Sequence, residues 1–217
     1  MTRVKICGIR NQEELEIVVN AGAHAVGFIT EVAVPSPRKI SLAQASKLIS
    51  RVPVFVTSVL VIMPEDAQHA VHMIRTAKPL AVQIHNDLEL SELKSIKRTG
   101  VKLIKTISVP IDVDLSTIID QVNEFKGVVD AVLLDTIVGK SSGGTGLPHD
   151  WEISSEIVHS SSIPVILAGG LNPENVGDAI TKVRPYAVDV ASGVETDGRK
   201  DPKKIIDFVK KVRLHEF

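Results

Sequence analysis

The stretch PVILAGGLNPEN at residues 164–175 contains the pattern that decides the fold. It opens with a short apolar run, Pro164–Ala168, which is followed by two glycines. Next come Asn172, Pro173 and Glu174, which serve as a helix cap, a proline suited to a first helical turn and an acid that favours the positive end of a helix. The pattern predicts a buried strand, a tight turn and a helix in succession.

The same unit recurs along the 217 residues of the chain. Eight short runs are rich in Val, Ile, Leu and Ala and do not alternate regularly with polar residues, which is typical of strands buried on both faces of a parallel sheet. The predicted strands are Val4–Cys7, Ala25–Ile29, Val54–Leu60, Ala81–Ile84, Lys102–Thr106, Ala131–Asp135, Pro164–Ala168 and Ala187–Val190. Eight units in 217 residues give about 27 residues each, near the compact end for a (β/α)8 barrel.

Amphipathic stretches lie between these runs, and most begin with a recognisable signal. Asn11 and Ser41 are predicted to cap the first two helices, and Asp201-Pro202 begins the last. Pro64, which two acids follow, is placed in the first turn of the third helix. The other predicted helices are Ser91–Lys97, one that begins at Asp114 or Ser116, and His149–Val158.

We therefore predict an α/β protein that forms a single (β/α)8 TIM barrel domain over residues 1–217. The alternative is an open doubly wound sheet. It is disfavoured because no Gly-x-Gly-x-x-Gly follows the first strand, where a dinucleotide site would need it. No linker, low-complexity tract or shift in composition divides the chain.

Composition narrows the expected partners and compartment. Lys and Arg number 25 against 26 Asp and Glu, so the formal net charge of −1 gives no overall field to attract nucleic acid or an anionic membrane. Cys7 is the only cysteine, which excludes an intramolecular disulfide and a cysteine zinc cage. The sequence shows no apolar stretch of about 7–15 residues of the kind that marks a signal peptide. It also shows no apolar stretch of about 20 residues, the length that spans a bilayer. We expect a cytoplasmic protein that binds neither nucleic acid nor membrane.

Polar side chains follow most of the predicted strands, at the end where a barrel of this kind carries its active site. They are Cys7, Arg38, Gln83, His85, Asp135 and Asp189. Packing alone does not explain why polar residues converge on one rim from so many strands. The sequence predicts a functional site there.

Glycine clusters follow the last three predicted strands. They are Gly143-Gly144-Thr145-Gly146, Ala168-Gly169-Gly170 and Ala191-Ser192-Gly193. Each cluster taken alone is equally well explained as a tight turn. Together they favour a phosphate site, because glycine lets backbone N–H groups approach an anion and these loops of a barrel commonly hold a phosphate with a short extra helix. The segment 192–195 has the length of such a helix.

Each candidate side chain also has a purely structural explanation. Cys7 is either a small buried apolar group or, as a thiolate at the barrel mouth, a base or nucleophile. Asp135 is either a capping residue or the partner of an Arg or Lys, or it is an acid that donates a proton. Arg38 is either a surface residue or a ligand for carboxylate or phosphate. No second metal-ligating residue lies at a suitable spacing from His85, so we expect no metal site.

Several motifs resemble signatures of the phosphoribosylanthranilate isomerase family, and they occur in that family's order. They are Lys5-Ile6-Cys7-Gly8-Ile9, Ser36-Pro37-Arg38, Val82-Gln83-Ile84-His85, Leu134-Asp135-Thr136, Gly143-Gly144-Thr145-Gly146, Leu167-Ala168-Gly169-Gly170-Leu171 and Val188-Asp189-Val190-Ala191-Ser192-Gly193-Val194-Glu195. The resemblance extends from residue 5 to the last helix. The chain departs from the family pattern at Pro53 and at Asn86, where the family usually has glycine.

The resemblance implies a (β/α)8 barrel of tryptophan biosynthesis that works without metal or cofactor. The implied reaction converts N-(5-phosphoribosyl)anthranilate into 1-(2-carboxyphenylamino)-1-deoxyribulose 5-phosphate, an Amadori rearrangement. Asp135 is then the acid that protonates the ribose ring oxygen, and Cys7 is the base that removes the proton from C2. Arg38 binds the anthranilate carboxylate. The remaining substrate-binding residues are Gln83, His85 and Asp189, with Gly143, Gly144, Gly169, Gly170, Ser192 and Gly193 around the phosphate.

Two other functions are considered. A sugar-phosphate isomerase of histidine biosynthesis would more naturally use two aspartates at strand ends, whereas the first strand here ends in Cys7. A non-catalytic phosphate-binding barrel is disfavoured because both Cys7 and Asp135 are present. The expected partner is a small phosphorylated sugar–anthranilate substrate, and the chain is expected to be a monomer or a homodimer.

Overall fold

The computed structural model describes residues 1–110, 114–138, 141–142 and 151–215. Its strands are β1 (Arg3–Cys7), β2 (Ala25–Ile29), β3 (Thr57–Ile62), β4 (Ala81–Ile84), β5 (Lys102–Pro110), β6 (Ala131–Val138), β7 (Ser141–Ser142), β8 (Val165–Leu167), β9 (Ala187–Val190), β10 (Glu195–Thr196) and β11 (Arg199–Lys200). Eight of them are parallel and close into a ring in the order β1-β2-β3-β4-β5-β6-β8-β9. The short β7 pairs antiparallel with β6, while β10 and β11 form a hairpin. The predicted (β/α)8 barrel is confirmed.

The helices occupy the connections between the parallel strands. They are α1 (Gln12–Asn20), α2 (Leu42–Ile49), α3 (Ala67–Ala77), α4 (Leu90–Lys97), α5 (Leu115–Glu124), α6 (Trp151–Ser160), α7 (Val176–Val183) and α8 (Pro202–Leu214). Asn11, Ser41 and Asp201 cap α1, α2 and α8 as predicted, each accepting a hydrogen bond from the first turn. Asp114 caps α5 in the same way. In the part of the chain described here, no helix is both long and apolar enough to cross a membrane.

The predicted start of the third strand is wrong. Val54 and Phe55 are 80% and 99% exposed, and β3 begins only at Thr57. The apolar run continues into a turn, in which Val56 N–H donates to the Pro53 carbonyl and Phe55 takes a positive φ of 74°. Local hydrophobicity does not reveal that turn.

Two predicted helix starts are also wrong. The third helix begins at Ala67, because Asp66 caps it by accepting from His69 N–H, so Pro64 lies before the helix and not in its first turn. The seventh begins at Val176, because Asn172 accepts from the N–H groups of Glu174 and Asn175 and holds this segment as a turn. The predicted start of α6, His149, lies outside the described residues.

Two apolar layers result from the alternation of side chains along the strands. Val4 and Ile6 of β1 belong to the layer between the sheet and the helices, together with Phe28 and Phe208. Residues of the opposite parity, such as Cys7, point into the barrel, where the side chains are mostly small or branched. Both faces are buried, so the strands read as continuous apolar runs. The polar residues of the inner set therefore meet at the barrel mouth.

Candidate active site

A pocket with a volume of about 450 Å³ opens at the carboxyl ends of the barrel strands. The predicted site residues that line it are Cys7, Arg38, Gln83, His85, Asp135, Gly169, Gly170, Asp189 and Ser192. Apolar side chains complete its wall, among them Val32, Val34 and Met63. Gly143 and Gly144 lie outside the described residues. Residues from distant parts of the sequence are thus brought to one cavity of a size usual for small-molecule sites.

The thiol of Cys7 lies at the floor of this pocket. The residue ends β1 and is only 6% exposed. Gly27 on the neighbouring β2 leaves room for it, since a Cβ atom there would lie 2.8 Å from the sulfur. Burial raises the pKa of the Cys7 thiol above its ordinary value, although the nearby cations Lys5 and Lys200 oppose the effect.

A buried ion pair lies directly beside the thiol. Lys5 Nζ donates to Asp189 Oδ2 at 2.8 Å, and the two side chains are 4% and 10% exposed. Burial disfavours the ammonium form, but Asp189 and Cys7 together outweigh that effect and raise the pKa of Lys5. No function of Lys5 is predicted from the sequence. The available signal was a lysine two residues before Cys7 in the same strand, which places both side chains on the inner face.

Arg38 is held by Glu195, for which no role is predicted from the sequence. Its Nε and Nη2 donate to the two carboxylate oxygens of Glu195 at 2.8 and 2.6 Å. Lys200 Nζ donates to the same carboxylate at 2.9 Å and to the carbonyl of Ala191 at 2.8 Å. Burial works against the carboxylate, yet Arg38 and Lys200 outweigh it and lower the pKa of Glu195. One buried anion therefore fixes two cations at the rim.

Asp135 and His85 approach each other on another side of the pocket. His85 Nε2 lies 3.6 Å from Asp135 Oδ2, longer than a hydrogen bond but close enough for an electrostatic interaction. Gln83 Nε2 donates to Thr106 Oγ1 at 3.0 Å. Within the described residues, Gln83 Oε1 and Asp189 Oδ1 are buried acceptors without a hydrogen-bond partner. The site thus contains an acid, an imidazole and two acceptors that a ligand could satisfy.

The glycine loops after β8 and β9 require glycine for different reasons. Gly169 and Gly170 have φ values of +83° and +66°, which other residues rarely adopt. Gly193 does not line the pocket, but a Cβ atom on it would overlap the carbonyl oxygen of Leu171. It therefore lets the two loops pack closely. The predicted short helix is present as a single 3₁₀ turn, Ser192–Val194.

Asn86, one of the departures from the family pattern, donates to the carbonyl of Pro64 at 2.8 Å and so ties together the loops after β3 and β4. In the described ranges no group of three or more His, Cys, Asp or Glu side chains is arranged to hold a metal ion.

Comparison with known proteins identifies the family of the chain. The family described as N-(5'phosphoribosyl)anthranilate (PRA) isomerase matches residues 4–211. A relative from Methanosarcina acetivorans, named N-(5'-phosphoribosyl)anthranilate isomerase, is 49% identical over 98% of this chain and 93% of its own length. A crystal structure of a phosphoribosyl anthranilate isomerase in complex with reduced 1-(o-carboxyphenylamino)-1-deoxyribulose 5-phosphate has a TM-score of 0.82 and 33% identity, over 98% of this chain and 99% of that one.

A second solved structure shows monomers generated from the dimeric phosphoribosylanthranilate isomerase of Thermotoga maritima. It has a TM-score of 0.82 and 32% identity, and it covers 98% of this chain and 99% of that one. The matches therefore extend over nearly the whole length in sequence and in structure. The chain belongs to the N-(5'-phosphoribosyl)anthranilate isomerase family, whose members are isomerases of tryptophan biosynthesis.

Proposed function

We propose that the chain converts N-(5-phosphoribosyl)anthranilate into 1-(2-carboxyphenylamino)-1-deoxyribulose 5-phosphate, with Asp135 as general acid and Cys7 as general base. The observation that carries the proposal is that both side chains line one pocket, from the non-adjacent strands β6 and β1. A substrate in that pocket lies between a proton donor and a proton acceptor. This is the arrangement that a proton transfer between two positions of one substrate needs.

The first step opens the sugar ring. Asp135 donates its proton to the ribose ring oxygen, the bond from C1 to that oxygen breaks, and the anilino nitrogen lone pair forms a C1=N iminium. The Cys7 thiolate then takes the proton from C2, and the electron pair of the C–H bond forms the enolamine. Transfer of the enol proton to C1 gives the ketone, so substrate and product are isomers. The iminium makes the C2 proton acidic, so the base needs alignment more than strength.

Arg38 is suited to the carboxylate of the anthranilate group. A guanidinium has five N–H donors. Among the described residues, Glu195 accepts from Nε and from one N–H of Nη2, which leaves further donors of Arg38 for a second carboxylate. The apolar wall formed by Val32, Val34 and Met63 suits the aromatic ring. In this arrangement Glu195 is the residue that fixes the direction of Arg38.

The phosphate is assigned to the opposite end of the substrate. Gly169, Gly170 and Ser192 line the pocket where the loops after β8 and β9 meet. Gln83 Oε1 and Asp189 Oδ1, which have no hydrogen-bond partner among the described residues, are acceptors for the hydroxyl groups between the two anionic ends. The same assignment for Gly143 and Gly144 stays a prediction from the sequence.

The relatives support two further parts of the proposal. One of them binds a reduced, phosphorylated product analogue, which favours a substrate of the same class here. The relative from Thermotoga maritima is dimeric, which favours the homodimer among the two predicted states. A cytoplasmic location stays a prediction from the sequence.

Loss of substrate fluorescence tests the proposed activity. Purified protein treated with a chelator and given phosphoribosylanthranilate should consume it without added metal. Folded protein that leaves the substrate fluorescence unchanged, beyond its spontaneous decay, would refute the proposed reaction.

A further inference from the structure

The ion pair between Lys5 and Asp189 is buried, although removing two charges from water is energetically unfavourable. Both groups lie inside the barrel, and Lys5 Nζ and Asp189 Oδ2 are 2.8 Å apart. Buried ion pairs rarely stabilise a fold more than apolar residues of the same volume would, because two charges must be removed from water. Other inner positions, such as Val59 and Ala131, carry apolar side chains. The pair is therefore better explained by its neighbour, Cys7, than by stability.

In the described part of the chain, charged groups from several elements lie around the Cys7 thiol. They are Lys5 on β1, Asp189 on β9, Glu195 on β10, Lys200 on β11 and Arg38 in the loop after β2. Three cations against two anions leave this group with a net charge of +1 while the thiol is protonated. A Cys7 thiolate brings the sum to zero. His85 and Asp135, which line the same pocket, form a separate pair with each other.

The three cations are not equivalent. Lys200 and Arg38 share the single carboxylate of Glu195. Lys5 stands two residues before Cys7 on the same strand face, and its ammonium group opposes the effect of burial on the pKa of the thiol. Because Asp189 fixes the ammonium with a short hydrogen bond, Lys5 has little freedom to turn away.

We infer that Lys5 is a positioning residue for this site, and that its ammonium group, held by Asp189, stabilises the thiolate of Cys7 inside the barrel. The catalytic consequence rests on the proposed role of Cys7 as general base. The electrostatic relationship among the three residues does not depend on that role.

Substitutions at the two ends of the ion pair should shift the pKa of Cys7 in opposite directions. Burial already raises the pKa of Cys7, and Lys5 opposes that effect while Asp189 reinforces it. Removal of the cation in Lys5→Met should raise the pKa of Cys7 further. Removal of the anion in Asp189→Asn should lower it. A merely structural role for the pair gives no reason for the two substitutions to act in opposite directions.

Alkylation of Cys7 measures its ionisation without substrate. Cys7 is the only cysteine of the chain, so iodoacetamide followed by intact-protein mass gives one unambiguous rate at each pH. Compared with the unmodified chain, Lys5→Met should move the midpoint of the rate profile upward by about one pH unit and slow alkylation about tenfold at a fixed pH below it. Asp189→Asn should move the midpoint downward.

Lys105→Met is the matched control. The Lys105 side chain is 2% exposed, as deeply buried as that of Lys5, but it bonds to Asp87 and the Thr106 carbonyl rather than facing Cys7. This control should leave the midpoint unchanged. If Lys5→Met does not fold, as judged by circular dichroism, the double variant Lys5→Met/Asp189→Asn replaces it and should show a higher midpoint than Asp189→Asn alone.

An unchanged midpoint in the Lys5 variant, or shifts of the same sign in Lys5→Met and Asp189→Asn, would overturn the inference. Its failure is distinguishable from failure of the proposed function. If Cys7→Ser remains active, the proposed role of Cys7 as general base is refuted, while a shifted alkylation profile of Lys5→Met still supports the inference. If Cys7→Ser is inactive and Lys5→Met shows no alkylation shift, Cys7 remains the proposed base and the role of Lys5 is refuted.

Discussion

Arg38 and Glu195 form a bidentate ion pair across the rim of the barrel, with N–O distances of 2.8 and 2.6 Å. The pair joins the loop after β2 to β10, and the two residues are 157 positions apart in the chain. The aliphatic part of Arg38 also packs over Gly8, where a Cβ atom would lie 3.2 Å from Arg38 Cβ. The guanidinium is thus oriented by contacts on two sides. We expect this orientation to govern substrate affinity more than the chemical step.

Glu195→Gln should weaken substrate binding. The amide keeps the shape of the side chain but removes the charge that aligns Arg38 and neutralises Lys200. KM for phosphoribosylanthranilate should rise about tenfold, the effect of losing one charge-assisted contact, with a smaller change in kcat. Steady-state kinetics measure both. Glu174→Gln, at an exposed position, is the control and should match the unmodified enzyme. An unaltered KM in Glu195→Gln would reject the orienting role of Glu195.

The same substitution should change how stability depends on pH. The folded protein holds the pKa of Glu195 below its ordinary value, so below the unfolded pKa of about 4.3 the unfolded chain takes up the proton first. The contribution of Glu195 is therefore present above that pH and is lost as the pH falls through the lower folded pKa. Urea unfolding between about pH 5 and pH 3 should show a shallower decline for Glu195→Gln. Equal slopes in the two proteins would contradict the assignment.

Gly193→Ala should damage the proposed phosphate site. The added methyl group overlaps the carbonyl oxygen of Leu171, so the loops after β8 and β9 must separate. We expect a rise in KM and a fall in stability of at least about 1 kcal/mol, measured by kinetics and urea unfolding.

Gly127→Ala is the control for Gly193→Ala. Gly127 has a φ of +77° and no atom within 4 Å of an added Cβ, and it lies between α5 and β6, outside the pocket lining. It should lose about 1 kcal/mol of stability to backbone strain and keep its KM. If both variants keep the KM of the unmodified enzyme, the phosphate is not bound where these loops meet.

Local patterns predicted the framework well. The bounds of β2, β4 and β9 agree with the predicted Ala25–Ile29, Ala81–Ile84 and Ala187–Val190. Strands that are buried on both faces are apolar throughout, so the polar residues of the connections mark their ends. Caps such as Asn11 were predictable because the bonding partner is three residues away. Val54 was misassigned because an apolar side chain in a turn looks the same in sequence as one in a strand.

The supporting residues of the site were not predictable in this way. The hydrogen bond from Lys5 to Asp189 spans 184 positions, so no window of sequence contains both partners. Glu195 ends a predicted short helix and a family motif, but its pairing with Arg38 is not predictable, because the bonds between them depend on the closure of the barrel. Strand-end position identified the residues that line the pocket, whereas the residues that hold them required the tertiary structure.

Turnover by Cys7→Ser, Asp135→Asn and the double variant tests the central claim most directly. Each single substitution should lower kcat about 10²–10⁴-fold, because each removes one of two proton-transfer groups, and the double variant should be little slower than the slower single one. Asp120→Asn, at an exposed position on α5, should retain full activity. A folded Cys7→Ser or Asp135→Asn protein with a kcat close to that of the unmodified enzyme would contradict the assignment of that residue.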